Sequence, residues 1–270
     1  MSTSLTNAQI TQYKRDGFLF PLPALPPDEA QRYCDTVNDL ERRLGPDTRP
    51  TDMNQLHLHF GWAYDLVMNT TVLDAVEGVL GPNIVVWGAG VFAKKPHDPG
   101  FVSWHQDGAY WGLDSIEVAT AWIALSNSTV ENGCMRVVGG THLMPYRPHD
   151  DTYKQENLLS RGQEVQVDVD EDDATDLVLA AGQMSLHDVR IIHGSNANRS
   201  DTKRVGVAIR YITPQVSQPG RRPRAVLARG SDDGGHYELV GRPAETSMAE
   251  AIEALRETAR EHMAAVMPKK

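Results

Sequence analysis

The chain has 270 residues, 40% of them hydrophobic and 23% charged, the composition of a soluble globular protein long enough for one large domain or two small ones. A formal charge of −10, from 26 basic against 36 acidic residues, argues against nucleic acid or an anionic membrane surface as a partner. Cys34 and Cys134 are too few for a disulfide framework or a cysteine zinc site, the N-terminus lacks the regions of a signal peptide, and the longest near-apolar run, Ile84 to Ala93, is too short to span a bilayer, so a cytoplasmic protein with reduced thiols is expected.

In chain order, Thr6 caps a helix in AQITQYKRDG, with Ile10 and Tyr13 on one face and Gly17 as its stop. After the Pro-rich connector PLPALPP, Tyr33, Val37, Leu40 and Leu44 recur at helical spacing up to Gly45. A third helix is predicted around Asn69 to Leu80, ahead of Gly81-Pro82. From Ile84 the pattern changes to short β-type runs: IVVWGAGVFA, FVSWHQD, VATAWIALSN, MRVVGG, EVQVDV, MSLHDVRIIHG and RVGVAIRYITP. Turn signals between them predict an all-β barrel or sandwich. Residues 149–163 read as a polar insertion loop, and 217–236 as a mobile segment rich in Gly, Pro and Arg. Ser247 and Glu250 form a capping box for a last helix with the stripe Met248, Ile252, Leu255, Ala259 and Met263. The expected organisation is one domain over 1–270, mainly β with flanking helices: a helical N-terminal region over 1–82, a β core over about 83–216, and a loop and helix over 217–270.

Ten histidines have no general electrostatic explanation. His105-Gln106-Asp107 is an H-x-D, and on a strand residues i and i+2 share a face, so imidazole and carboxylate can hold one metal. The spacing alone is weak, because His149/Asp151 and His236/Glu238 repeat it. Those two lie in polar segments, whereas His105 lies in FVSWHQDGAYW, a strand candidate bordered by aromatics, and a metal needs rigid placement. His193, ending the run VRIIHGS, and His187, six residues earlier with the same strand parity, are both candidates for a third ligand. His57 and His59 in LHLHF are read as a packing cluster. Two histidines and one carboxylate leave adjacent positions open, as in non-haem Fe(II) oxygenases. Arg204 opens the core strand RVGVAIRY, where a buried guanidinium is costly unless it meets an anion.

His105, Asp107, His193 and Arg204, with NAQITQYKRDGFL and the ATAWIAL…ENGCMRVVGGTH segment, make most of residues 5–213 resemble the phytanoyl-CoA dioxygenase family of Fe(II)/2-oxoglutarate-dependent oxygenases. The resemblance implies a double-stranded β-helix, or jelly roll, in which His105, Asp107 and His193 bind iron and Arg204 binds the C5 carboxylate of 2-oxoglutarate, with Ser195 adding a hydrogen bond. It favours His193 over His187. The Asn132-Gly133 turn is read as structural, and Thr141 stands where serine is more usual. Related halogenases lack the carboxylate ligand, so Asp107 implies oxygen transfer instead. The cofactors implied are Fe(II), 2-oxoglutarate and O₂, and the partner is a small-molecule substrate.

Trp111 and Tyr110 are candidate substrate contacts, with core packing as the alternative; Thr120 and Trp122, which alternate onto one face of VATAWIAL, are candidates too, although plain sandwich core is the favoured reading. Arg210 shares parity with Arg204 and is a candidate to fix a metal ligand or a bound anion, with an exposed strand charge as the alternative. Arg221, Arg222, Arg224 and Arg229 are read as solvated charges, with an anionic substrate or carrier as the alternative. The expected activity is hydroxylation of an unactivated C–H bond. The same cofactors also support desaturation, cyclisation, epoxidation or endoperoxide formation. A binding module without catalysis and a zinc hydrolase are the rivals from other classes; neither needs the metal triad and the arginine together.

Overall fold

A computed structural model of the chain describes residues 4–166 and 169–266. Its first half runs α1 (Asn7–Asp16), β1 (Phe18–Pro23), α2 (Pro27–Leu44), α3 (Gly61–Val67), α4 (Thr70–Leu80), β2 (Ile84–Lys94), β3 (Val102–His105), β4 (Val118–Ala124) and β5 (Met135–Val138). The second half runs β6 (His149–Asp151), β7 (Gln163–Val165), β8 (Ala174–Leu177), β9 (Gln183–Asp188), β10 (Ile192–Ser195), β11 (Arg204–Ile212), β12 (Arg224–Arg229), β13 (Glu238–Leu239) and α5 (Met248–Val266).

The large sheet has the order β1-β9-β4-β11-β2-β12-β13 and the small one β3-β10-β5-β8. Their inner faces line a common cavity, the jelly-roll arrangement that the family resemblance implies. All five helices contribute to the core on the outer face of the large sheet. Strand alternation sorts the side chains: on β11, Val205, Val207, Ile209 and Tyr211 join that helical core, while Arg204, Ala208 and Arg210 face the cavity. On β2 the parity switches. Arg210 pairs with Gly88 and Tyr211 with Val86, so Trp87 is an extra residue in a β-bulge. The bulge leaves Trp87 and Gly88 both on the cavity wall.

Local chemistry sets the helix ends. Thr6 Oγ1 accepts from the Gln9 amide at 3.3 Å and Gln9 Oε1 accepts from the Thr6 amide at 2.9 Å, a reciprocal cap for α1, which Gly17 closes at φ 83°. Ser247 and Glu250 cap α5 in the same way. Ala251, Ile252, Leu255 and Ala259 are buried, Met248 is exposed, and the Met263 side chain lies outside those described. Among the described residues no helix is long and apolar enough to cross a membrane.

Several segments differ from the sequence reading. The predicted connector begins inside a strand, β1, which tolerates Pro21 and Pro23 because it is the edge of the large sheet and needs few ladder donors. MSLHDVRIIHG is two strands in different sheets: Asp188 accepts from the Arg190 amide at 2.8 Å through Oδ1 and from Ile191 through its carbonyl, turning the chain between β9 and β10. The stretch 149–163 is bounded by a hairpin, β6 with β7, and Val167 and Asp168 of the predicted strand EVQVDV lie outside the described residues. The segment 217–236 contains β12, which pairs with β2 and buries Ala225 and Val226. The short elements α3 and β8 carry no periodic signal long enough to read.

Candidate active site

His105 closes β3, and its direct cross-strand partner is His193 on β10, which brings the two rings to 4.1 Å. Both rings are oriented alike. His105 Nδ1 lies 2.9 Å from the Ser103 carbonyl and His193 Nδ1 lies 3.1 Å from that of Ile191. A carbonyl only accepts, so Nδ1 carries the proton and each Nε2 is left to bind elsewhere. Those Nε2 atoms lie 3.4 Å and 4.0 Å from the Asp107 carboxylate. Asp107 does not share the strand with His105 as the spacing predicts: β3 has ended, and Asp107 opens a single 3-10 turn held by the Gly108 amide on the Val189 carbonyl at 3.0 Å. The three ligand atoms lie within 4.8 Å of one another, and all three residues are buried.

Burial pushes the Asp107 carboxyl up, but the neighbouring His105 and His193 rings and the Arg210 charge outweigh it and hold the group well below the usual carboxylate range. Burial, then the charge on His105, holds His193 well below 6.5. A carboxylate beside a neutral imidazole is the protonation state that a divalent metal requires, so the donors fit iron. His187 faces the same cavity from the large sheet, with Nε2 3.9 Å from Asp107 and its ring 4.9 Å from His193, yet it lies outside the converging set. Burial lowers its pKa to about 4.

Beyond the metal donors lies a cationic end. Arg204 is 2% exposed, donates to the Gly133 carbonyl at 2.6 Å, and lies 5.2 Å from the Trp122 ring centroid. Desolvating a guanidinium costs several kcal/mol unless it is paired, and no carboxylate among the described residues forms an ion pair with Arg204, whose planar fork therefore suits an anion. Burial lowers Arg204 to about 10, still charged at neutral pH. Gly133, at φ 74°, is required where it stands, because a Cβ would sit 2.2 Å from the Asn196 carbonyl.

The sequence reading missed Lys94, the cross-strand partner of Arg204. It is fully buried, and its Nζ donates to Ser195 Oγ at 2.7 Å and to the Asn196 carbonyl. Because Ser195 Oγ accepts from Lys94, its own proton is free for an acceptor in the cavity. Burial, then repulsion from Arg204, lowers Lys94 to about 6. The available signal was parity: Lys94 follows Gly88, Gly90 and Phe92 at intervals of two. Gln55, also on the cavity wall, carried no signal.

Tyr110, Trp111, Thr120 and Trp122 all line the cavity. The Tyr110 hydroxyl lies 3.4 Å from Asp107, and Trp111 packs on Trp87 at 5.2 Å between ring centroids. None of the clustered arginines lines the cavity; Arg229 is paired with Asp74 and Glu77 on α4. His57 is buried without a hydrogen bond to either ring nitrogen among the described residues, and His59 contacts Thr258 at 2.9 Å, as a packing cluster does. His149 is more fixed than its polar surroundings imply, since its ring nitrogens meet the Gln106 amide at 3.0 Å and the Arg147 carbonyl at 2.8 Å.

The model of the phytanoyl-CoA dioxygenase family matches residues 13–206, more than half of the chain. The probable alpha-ketoglutarate-dependent hypophosphite dioxygenase of Stutzerimonas stutzeri is 29% identical, over 57% of this chain and 54% of that protein. The peroxisomal phytanoyl-CoA dioxygenase of Bos taurus is 31% identical, over 52% of this chain and 43% of that protein. The matches thus span about half the length of these curated relatives. A solved structure of the non-heme monooxygenase ThoJ is 33% identical, with a TM-score of 0.80 over 95% of this chain and 98% of that one. The chain belongs to the phytanoyl-CoA dioxygenase family of non-haem oxygenases, whose cofactors are Fe(II), 2-oxoglutarate and O₂.

Proposed function

We propose that this chain, as one oxygenase domain, hydroxylates an unactivated C–H bond of a small organic molecule. The observation that carries the reading is the convergence of His105, Asp107 and His193 within 4.8 Å, next to a buried arginine without a carboxylate partner among the described residues. Bound Fe(II) and 2-oxoglutarate supply the oxidising chemistry, in which one atom of O₂ enters succinate as CO₂ leaves and the other enters the substrate.

The chain's residues do the rest. The Ser103 and Ile191 carbonyls fix the ring orientations of His105 and His193, so the ligand geometry is set before a metal arrives. Arg204 and the Ser195 hydroxyl take the far carboxylate of 2-oxoglutarate. Ser195 is two strand residues from His193, about 7 Å, a span that a five-carbon diacid bridges. Trp87, Trp111 and Tyr110 line the same cavity and limit water, which favours coupling of oxidant to substrate. Two buried, unpaired cysteines support a reducing, cytoplasmic setting.

The test is anaerobic. Adding Fe(II) and then 2-oxoglutarate is expected to give the weak visible charge-transfer band of a keto-acid chelate; its absence overturns the reading. Screening metabolites for substrate-stimulated succinate formation, with product mass recorded, then separates hydroxylation from desaturation or ring closure.

A further inference from the structure

Three cavity-facing side chains stand in one row across the large sheet. His187 on β9 is the cross-strand partner of Thr120 on β4, and Thr120 is the partner of Arg210 on β11. The row continues to Gly88 on β2, where the absence of a side chain admits Gln55: its Nε2 lies 3.4 Å from where a Cβ would be. Each of the four polar residues has a buried atom with no hydrogen-bond partner among the described residues: His187 Nδ1, Thr120 Oγ1, Arg210 Nε and Gln55 Oε1. Buried polar atoms are nearly always paired. Four orphans side by side on a cavity wall mark the footprint of a polar ligand.

Arg210 gives that ligand its sign. Its guanidinium carbon lies 5.6 Å from the Trp111 ring centroid and 5.9 Å from that of Phe92, and no ion pair among the described residues holds it. The acid acting on it is Asp107, whose carboxylate accepts from the Tyr110 hydroxyl and converges with His105 and His193 as a candidate metal donor. The far carboxylate of 2-oxoglutarate belongs to Arg204, six residues along the same strand and about 20 Å away between Cα atoms. The charges lead the same way. A divalent metal balances the two charges of 2-oxoglutarate, and Asp107 offsets one of the two arginines, so one positive charge is left over even before Lys94 is counted.

We infer that this row binds the substrate by a carboxylate, with Arg210 as counter-ion and Trp111 and Phe92 against an adjoining aromatic or apolar body. The substrate is thus a small carboxylic acid. A phosphate dianion would bring a second charge, for which the row holds no second cation. Because the row starts at His187, 3.9 Å from Asp107, the C–H bond that reacts lies a few bonds from that carboxylate. This inference rests on the oxygenase reading above and deepens it.

The test uses protein loaded with Ni(II) and 2-oxoglutarate, which does not turn over. Benzoate, phenylacetate and 3-phenylpropionate are titrated by calorimetry, each against its primary amide, a neutral probe of matched shape. At least one acid is expected to bind about tenfold or more tightly than its amide, the preference expected of a charge-assisted hydrogen bond. Arg210→Gln should reduce the preference to about twofold or less and Arg210→Lys should restore some of it, while 2-oxoglutarate affinity stays within about threefold. Equal binding of acid and amide, or no binding by any probe, overturns the inference. So does an Arg210→Gln variant that weakens 2-oxoglutarate as much as the acid, because Arg210 then serves the co-substrate. The anaerobic Fe(II) band is recorded on the same protein; a normal band with no acid preference sinks only the carboxylate assignment, and a missing band sinks the oxygenase reading.

Discussion

The two walls of the cavity are built on opposite principles. On the small sheet, His105 and His193 are cross-strand partners and each Nδ1 is tied to a backbone carbonyl. On the large sheet, the row from His187 through Thr120 to Arg210 carries polar atoms that nothing among the described residues satisfies. The first wall is oriented by the backbone before any ligand arrives, and the second is completed only by one. Rigid donors suit a metal whose geometry is the same at every turnover. Orphaned groups suit a molecule that enters and leaves, since binding supplies the hydrogen bonds that folding left unmade.

The largest break in this contrast should come from the first wall. Asp107→Ala is expected to reduce Fe(II)-dependent succinate formation by more than the about 100-fold that losing a partner outside the ligand set costs. Metal titration should show weakened binding in parallel, and unchanged turnover would remove Asp107 from the site. Next in size is Arg204→Ala, which leaves a carboxylate without its buried partner, a loss of about 2–5 kcal/mol. The dissociation constant of 2-oxoglutarate should rise by about 30-fold or more while metal binding is retained. An unaffected constant would reassign the anchor.

The smallest effect concerns Lys94. Its pKa near 6 in the free protein means that it is charged below that pH and largely neutral above it. A bound carboxylate favours the ammonium, so binding above pH 6 must draw in a proton. Affinity for 2-oxoglutarate should therefore be full below pH 6 and fall as pH rises, by at most about one decade per unit. Lys94→Met should flatten this slope. A native slope of opposite sign, or one unchanged in the variant, would detach Lys94 from the anion end.

Much of this was legible in the sequence because strand parity and caps are local. Thr6 with Gln9 and Ser247 with Glu250 cap as their spacing implies, and Thr120 and Trp122 share a face because side chains alternate. The misreadings have local causes as well. Prolines concealed β1 because its edge position, which excuses them, is not visible locally. Asp188 hid the break between β9 and β10 inside an apolar run, and the Gly, Pro and Arg flanks of β12 outweighed its alternation. Lys94 was passed over because a lysine after an apolar run ordinarily reaches solvent, and only the closing small sheet buries it.

The sequence by itself determined the donor types, the H-x-D spacing, the arginine eleven residues after His193, and the family these belong to. Only the tertiary structure decided which histidine meets His105, that Lys94 stands behind Ser195, and that four polar atoms from separate segments share one unsatisfied wall. The division follows the physics. Spacing along a strand is fixed by covalent geometry, whereas register between strands depends on the whole fold, and partners as distant in sequence as His105 and His193 become neighbours only when the sheet that holds them has closed.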